Sequence, residues 1–284
     1  MIRYPGLKWW PLFALATLAC AAHSQSDQDA RTIVRKVVDN ELRIEAADHS
    51  RWMYKDSYKS PTTNTVKLVI QCPEANLSQL IEINGHPPSA QDHQNDLSHM
   101  QQLITDPGLR AKQRRAEAHD GQQADDLMKL LPNAFIWHIV NRNDGRITLA
   151  YRPDPNFSPP SMSARVLSAM SGTLTVVERE MRLKTLNGKL MRPVDFAWGL
   201  LGRIEAGGTF QIIRDEVAPQ IWQITQTHVH IAGHALFFKT IGDQEDEITS
   251  DWKPVPHDVD LKKAAQMIRS GELAREMGVK LESR

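Results

Sequence analysis

Residues 133–153 read NAFIWHIVNRNDGRITLAYRP. Two runs in which apolar and polar residues alternate flank Asn143-Asp144-Gly145. Period-two alternation marks a half-buried strand, and Asp-Gly supplies the left-handed backbone that a tight hairpin turn demands. The stretch predicts an antiparallel hairpin. A sheet of such strands buries one face and wets the other.

The same pattern recurs outward in both directions. Toward the N-terminus, RWMYKDSYK (51–59) separates Trp52, Tyr54 and Tyr58 from Met53, Lys55 and Lys59. TVKLVIQC (65–72) puts Val66, Leu68, Ile70 and Cys72 on one face, and QLIEING (79–85) closes on the turn pair Asn84-Gly85. Toward the C-terminus, GTLTVVERE and MRLKTLNG (172–188) form a second hairpin-like pair, with Ser171-Gly172 read as turn residues. GTFQIIRDEVAP, QIWQITQTHVHIAG and HALFFKTIGDQEDEITSDWKPVP (208–256) are long alternating runs, with Trp222, Ile224, Val229 and Ile231 at apolar positions. Glycines 202, 207, 208, 233 and 242 fall where bends or bulges belong. The acidic run Gln244–Glu247 reads as a solvated turn.

Helical spacing appears in four places. Residues 27–48 carry Ile33, Val34, Val37, Val38 and Leu42 at steps of three and four. Residues 87–132 form a polar, Gln- and His-rich insertion. In it Leu97, Met100, Leu103 and Ile104 share a helix face, and DDLMKLLP forms a short helix stopped by Pro132. SMSARVLSAM (161–170) is a short helix. Residues 260–278 place Leu261, Ala264, Ala265 and Ile268 on one side. Strand runs with helices at both ends and one helical insertion define an α+β class with a large antiparallel sheet, which either closes on itself or wraps around helices.

The N-terminus carries an address. Arg3 and Lys8 precede an uncharged stretch from Trp9 to Ala22, then small residues and a polar start. That order is the signature of a secretory signal peptide over residues 1–24, cleaved after Ser24 or after Ala22. Thr17-Leu18-Ala19-Cys20 offers an alternative, lipidation of Cys20, with Leu one position late. No later segment approaches the length of a membrane span. The remaining residues, 25–284, are expected to form one domain.

The 34 basic and 34 acidic residues balance, and no basic tract exceeds Lys112–Arg115. This argues against nucleic acid as a partner, because phosphate binding needs concentrated positive charge. Cys20 and Cys72 are the two cysteines, and Cys72 in its strand reads as a small buried hydrophobe. No G-x-S-x-G elbow, H-E-x-x-H, P-loop or Rossmann fingerprint occurs, so no catalytic residue is assigned. His228 and His230 share a strand face and His234 follows. With no carboxylate at a matching spacing, they read as a polar outer face rather than a metal site. Neither a metal nor a cofactor is expected.

The Trp/Tyr-rich strand after the first helix, then PNFSPPS (155–161), MSGTLTVVEREMRLKTLNGKL (170–190), GRIEAGGTFQI (202–212) and W-x-I before the last strand run resemble, in their order, the periplasmic outer-membrane lipoprotein-sorting and lipoprotein-carrier superfamily. Within it, the chain resembles an uncharacterised group of exported bacterial proteins. The resemblance covers most of residues 29–256. It implies an unclosed half-barrel wrapped around helices, with an apolar concavity. The Gln/His-rich insertion departs from a minimal carrier. On this basis the chain is expected to be a periplasmic or cell-envelope, non-enzymatic protein that binds a hydrophobic ligand, lipid or lipidated peptide. The alternative is an envelope sensor or protein-interaction module using the same concavity. Trp52, Tyr54, Tyr58, Trp137, Trp222 and Phe237 are the candidate ligand-binding residues, since pockets are mainly apolar.

Overall fold

The computed structural model describes residues 16–196, 202–235 and 244–279. The described residues open with α1 (Ala16–Ala47), followed by the meander β1 (Trp52–Lys59), β2 (Asn64–Ile70) and β3 (Leu77–Ile83). The insertion forms α2 (Ala90–Thr105) and α3 (Pro107–Ala134). The hairpin β4 (Phe135–Asn143) and β5 (Arg146–Pro153) comes next, then α4 (Met162–Leu167), β6 (Met170–Val177) and β7 (Arg182–Leu190). Short strands β8 (Val194–Phe196), β9 (Gly202–Ile204) and β12 (Gly233–Ala235) make a small three-stranded sheet. β10 (Thr209–Ala218), β11 (Ile221–His230) and β13 (Glu245–Pro254) complete the large sheet, and α5 (Leu261–Arg269) and α6 (Glu272–Glu276) follow.

Among the described residues the large sheet is antiparallel, ten-stranded and open, in the order β3-β2-β1-β13-β11-β10-β7-β6-β5-β4. It curves, with helices packed against it, as the α+β half-barrel expectation requires. The hairpin turn is as read: Asp144 and Gly145 have φ of 48° and 70°. Asn84 and Gly85 likewise take positive φ.

The sheet carries two separate cores. In the first, Val34, Val37 and Val38 of α1 pack on Phe135, Trp137, Leu149, Tyr151, Leu174 and Leu186 of β4–β7. In the second, Leu68, Ile70 and Leu77 of β2–β3 are covered by Met100 and Leu103 of α2 and by Leu261, Ala264 and Ile268 of α5. Cys72 lies in this second core, and burial pushes its thiol up to about 12. Removing apolar surface from water at both ends of the sheet is the main stabilising term.

α3 spans the distance between the cores. At its start, Arg110 donates to the carbonyls of Leu103 and Ile104, and Arg114 donates to that of Glu74. At its end, Leu131 is buried in the first core and its carbonyl accepts the Trp137 indole N–H at 3.0 Å. Residues 114–124 between these anchors are exposed. A helix polar all round is the expected form for a strut bridging two packed units. Instead of a short helix stopped by Pro132, the segment is one helix of 28 residues that includes it. Pro132 sits in the last turn, and strand β4 begins three residues later, at Phe135.

Other expectations are revised. Ser171 and Gly172 lie within β6, not in a turn. Glu245, Asp246 and Glu247 open β13 instead of a solvated loop, because neighbouring strands supply partners for them. The C-terminal helix is broken at Gly271, which takes φ of 69°. Phe237 and Phe238 lie outside the described residues, as do residues 1–15 of the expected signal peptide. Among the described residues no helix is long and apolar enough to cross a membrane.

Candidate functional site

The inner face of the sheet changes character along one cross-strand row. Leu149, Leu174, Leu186 and Ile212 stand side by side on β5, β6, β7 and β10; the row continues as Thr227, Glu247 and Tyr58 on β11, β13 and β1. Where it turns polar, neither core covers the sheet. A groove of about 570 Å³ opens there, walled on one side by Arg43, Ile44 and Glu45 at the end of α1.

Strand geometry makes the groove. β11 and β13 are ten residues each but pair only over Gln226–Val229 with Glu245–Ile248. An extra residue at Thr225 sets Ile224 opposite Arg214 while Gln226 stays opposite Ile213. A second irregularity lies at Asp251, whose φ is 58°. Such bulges bend a strand and reverse the facing of the side chains beyond them. Trp222 and Ile224 therefore face inward together with Thr227 and Val229, although the spacing of these residues does not fit a regular strand.

Three aromatic rings line this groove. Tyr54 stacks on Trp252 with centroids 4.3 Å apart. Trp222 is overlain by the Arg182 guanidinium, 5.6 Å from its ring centroid, and by the Lys184 ammonium at 5.9 Å. Ile224, 46% exposed, is an open apolar surface beside them.

The walls differ in charge. On the β7–β10 side, Glu41 of α1 is fully buried and accepts from Arg182 Nε and Nη2 at 2.9 and 3.0 Å and from the Leu183 N–H at 2.7 Å. Arg214 Nη1 also reaches Glu41, at 3.2 Å. Two guanidinium groups thus share one carboxylate. Arg214 Nη2 is 3.4 Å from the Trp222 carbonyl, while its Nε is buried without a partner. Burial, opposed by Glu41 and reinforced by Arg182, pulls Arg214 below its ordinary value. Desolvation raises the Glu45 carboxyl against the pull of Arg214.

On the β1–β13 side, Glu247 keeps an exposed face, yet desolvation and then the like charges of Asp56 and Glu245 push its carboxyl up. Burial also raises Asp56, against Lys67. Burial, then Asp56 and Glu247, lift the Tyr54 phenol to about 12.

Of the residues expected to bind ligand, Tyr54 and Trp222 line the groove. Trp52 is buried behind it, edge-on to Trp252 at 6.3 Å. The Tyr58 hydroxyl donates to Glu245 at 2.9 Å. Trp137 is 1% exposed in the first core, far along the sheet at β4. Trp252, Arg182, Arg214 and Glu41 were not legible as site residues. Glu41 interrupts an apolar helix stripe, which is the one signal that a buried charge needed partners.

The opposite face carries the histidines. Thr173, Asn187, Gln211, His228 and Asp246 form a cross-strand row of their own. Gln211 donates to Asn187 Oδ1 at 2.7 Å, and Asp246 Oδ1 is 2.7 Å from His228 Nδ1 and 3.1 Å from His230 Nε2. The carboxylate partner comes from the neighbouring strand, where local spacing does not reveal it. Hydrogen bonds from both histidines hold Asp246 below the usual carboxylate range. His234 lies on β12 of the small sheet. Among the described residues, no group of three or more His, Cys, Asp or Glu side chains is arranged to hold a metal ion.

In comparisons with known proteins, no family model, no curated protein and no solved structure matches the chain.

Proposed function

We infer that this is an exported, non-enzymatic binding protein that holds an amphipathic ligand, a lipid or lipidated peptide, in the groove on the inner face of its sheet. The observation that supports this reading is the meeting of Trp222, the Tyr54–Trp252 stack and the open side chain of Ile224 in one inward-facing groove. Burial of apolar surface contributes about 25 cal/mol per Å², so an acyl chain laid on these side chains gains several kcal/mol without catalytic chemistry. The charged walls favour a ligand with a polar end over a purely apolar one. The order-of-segments resemblance to periplasmic lipoprotein carriers is part of the same proposal.

Solvent extraction of protein purified from an exporting host, followed by mass spectrometry, tests it. Stoichiometric amphipathic lipid or lipopeptide is expected, on a chain whose N-terminus begins at His23 or Gln25. Protein that carries no lipid and binds no environment-sensitive hydrophobic dye in its native state counts against it.

A second reading, an envelope sensor or interaction module, draws on a different observation. Residues 221–224 of β11 pair with β10, and residues 249, 250, 253 and 254 of β13 pair with β1; among the described residues no backbone ladder joins the two stretches, and the Thr249 hydroxyl donates across to the Ile224 carbonyl at 2.9 Å. Open strand edges of this kind accept an extended peptide. Protein empty of lipid but captured by an extended envelope peptide would favour it.

A further inference from the structure

The groove's β7–β10 wall has more positive charge than its buried carboxylate can satisfy. Arg182 occupies both Glu41 oxygens in a bidentate pair, and the Leu183 N–H takes a further bond to the same side chain. Arg214 is left with a single contact to Glu41, a long one to a carbonyl, and a buried Nε that bonds nothing. Its side chain is 11% exposed, so water is largely excluded from it. A buried donor left unmade is costly, and a guanidinium is the side chain best shaped to take a carboxylate or phosphate. Lys184 adds a cation nearby, although Asp215 pairs with it. The apolar surface lies alongside: Trp222 is under Arg182, and Ile224 is directly opposite Arg214 in the strand register.

We propose that the groove selects an anionic amphiphile, its carboxylate or phosphate oxygen taken by Arg214 and its aliphatic body lying on Trp222 and Ile224. The inference rests on the reading of the groove as a ligand site and names the ligand's charge. The sign is carried by Arg214 and not by the groove's total charge, since Arg43, Arg182 and Arg214 line it together with Glu45, Asp48 and Glu247. On this wall two guanidinium groups face one fully buried carboxylate, whereas Glu247 belongs to the opposite wall beside Asp56. Glu45 also lines the groove within electrostatic reach of Arg214, so a ligand anion competes with it for the guanidinium.

The test compares one alkyl chain on three head groups. The full chain is titrated with dodecanoate, dodecyl maltoside and dodecyltrimethylammonium, each below its critical micelle concentration, with acetate as the chain-free anion. Dodecanoate should bind about tenfold or more tighter than the other two, the difference that one charge-assisted hydrogen bond supplies. Acetate at the same concentration should not displace it. Arg214→Gln should remove the preference, bringing dodecanoate to the affinity that dodecyl maltoside shows on the same variant. If that variant fails to fold, the order of the three affinities in the unaltered protein decides the matter alone. Equal binding of dodecanoate and dodecyl maltoside overturns the anion preference while leaving the groove as an amphiphile site. Displacement by acetate overturns the role of the aliphatic body. Binding of none of the three overturns both the inference and the groove reading beneath it.

Discussion

Arg182 and Glu41, which are 141 residues apart in sequence, form a bidentate pair that is all but sealed from solvent, at 4% and 1% side-chain exposure. It ties the first helix to the strand that forms one wall of the groove. Burying two charges costs desolvation energy that good geometry only just repays, whereas removing one partner strands the other. Glu41→Ala is therefore expected to destabilise the fold by about 3 to 5 kcal/mol. Chemical denaturation with the midpoint converted to free energy checks it. A loss below about 1 kcal/mol, the value of an exposed pair, would mean that water reaches both arginines.

A second prediction concerns the close approach of two strands. An ideal Cβ on Gly188 would lie 2.1 Å from Phe210 Cε1 and 2.6 Å from the Tyr151 hydroxyl, which itself donates to the Asn187 carbonyl at 2.8 Å. Gly188→Ala must push two rings off their positions in the first core. Overpacking of this kind costs about 1 to 3 kcal/mol. Thermal unfolding beside Gly121→Ala, where an added Cβ meets nothing within 4 Å, provides the comparison. The helical site should gain slightly, because alanine is the better helix former.

These two positions also mark how far the sequence could be read. The hairpin at Asn143–Gly145, the buried stripe of α1 and the apolar side of α5 follow from local periodicity, and each is found in place. The division into two cores does not follow from it. It depends on which strands meet across the sheet, and β1 meets β13 nearly two hundred residues later in the chain. The groove escapes local reading for the same reason. Trp252 reaches Tyr54, and Asp246 reaches His228, through non-local pairing. The inward facing of Trp222 and Ile224 depends on one extra residue at Thr225, and the alternation breaks there without naming its cause.

The pairing seam between β11 and β13 should respond to acid. Asp246 is held low by His228 and then His230, so its ionised form is favoured in the folded state more than in the unfolded chain. A lowered carboxylate contributes stability that is present above its unfolded value, about 3.9, and is lost as pH falls through the folded value. Asp246→Asn should be less stable than the unaltered protein at pH 6. The gap should close as both are taken below about pH 4. Denaturation midpoints of the pair across this range test the sign. A gap that stays constant into strong acid would show that the carboxylate charge contributes nothing at the seam.

The alkaline limb carries the opposite sign and a different residue. Burial, Asp56 and Glu247 raise the Tyr54 phenol to about 12. A raised group favours the protonated form in the folded state, so its contribution is complete below the unfolded value, about 10, and is lost as pH climbs between the two. Tyr54→Phe, which keeps the ring on Trp252, should remove part of the stability loss above pH 10, as read by midpoints on either side of it.

The last prediction separates ligand surface from core among the aromatic residues. Trp137 is 1% exposed, edge-on to Phe135 at 5.8 Å, with its N–H satisfied by Leu131. Trp222 is only partly buried, lines the groove and meets cations. Trp137→Ala removes packing on every side of the ring and should cost about 3 to 5 kcal/mol. Trp222→Ala opens a cavity that solvent already reaches, so the transfer penalty is smaller, and the main change should be in binding. An environment-sensitive hydrophobic dye titrated against both variants in the native state, with unfolding midpoints measured on the same samples, distinguishes the two roles. Weaker dye binding with a modest midpoint shift is expected for Trp222→Ala, and a large midpoint shift for Trp137→Ala. If Trp222→Ala instead unfolds as readily as Trp137→Ala and leaves dye binding intact, Trp222 is a packing residue. The apolar part of the ligand must then lie elsewhere on the sheet.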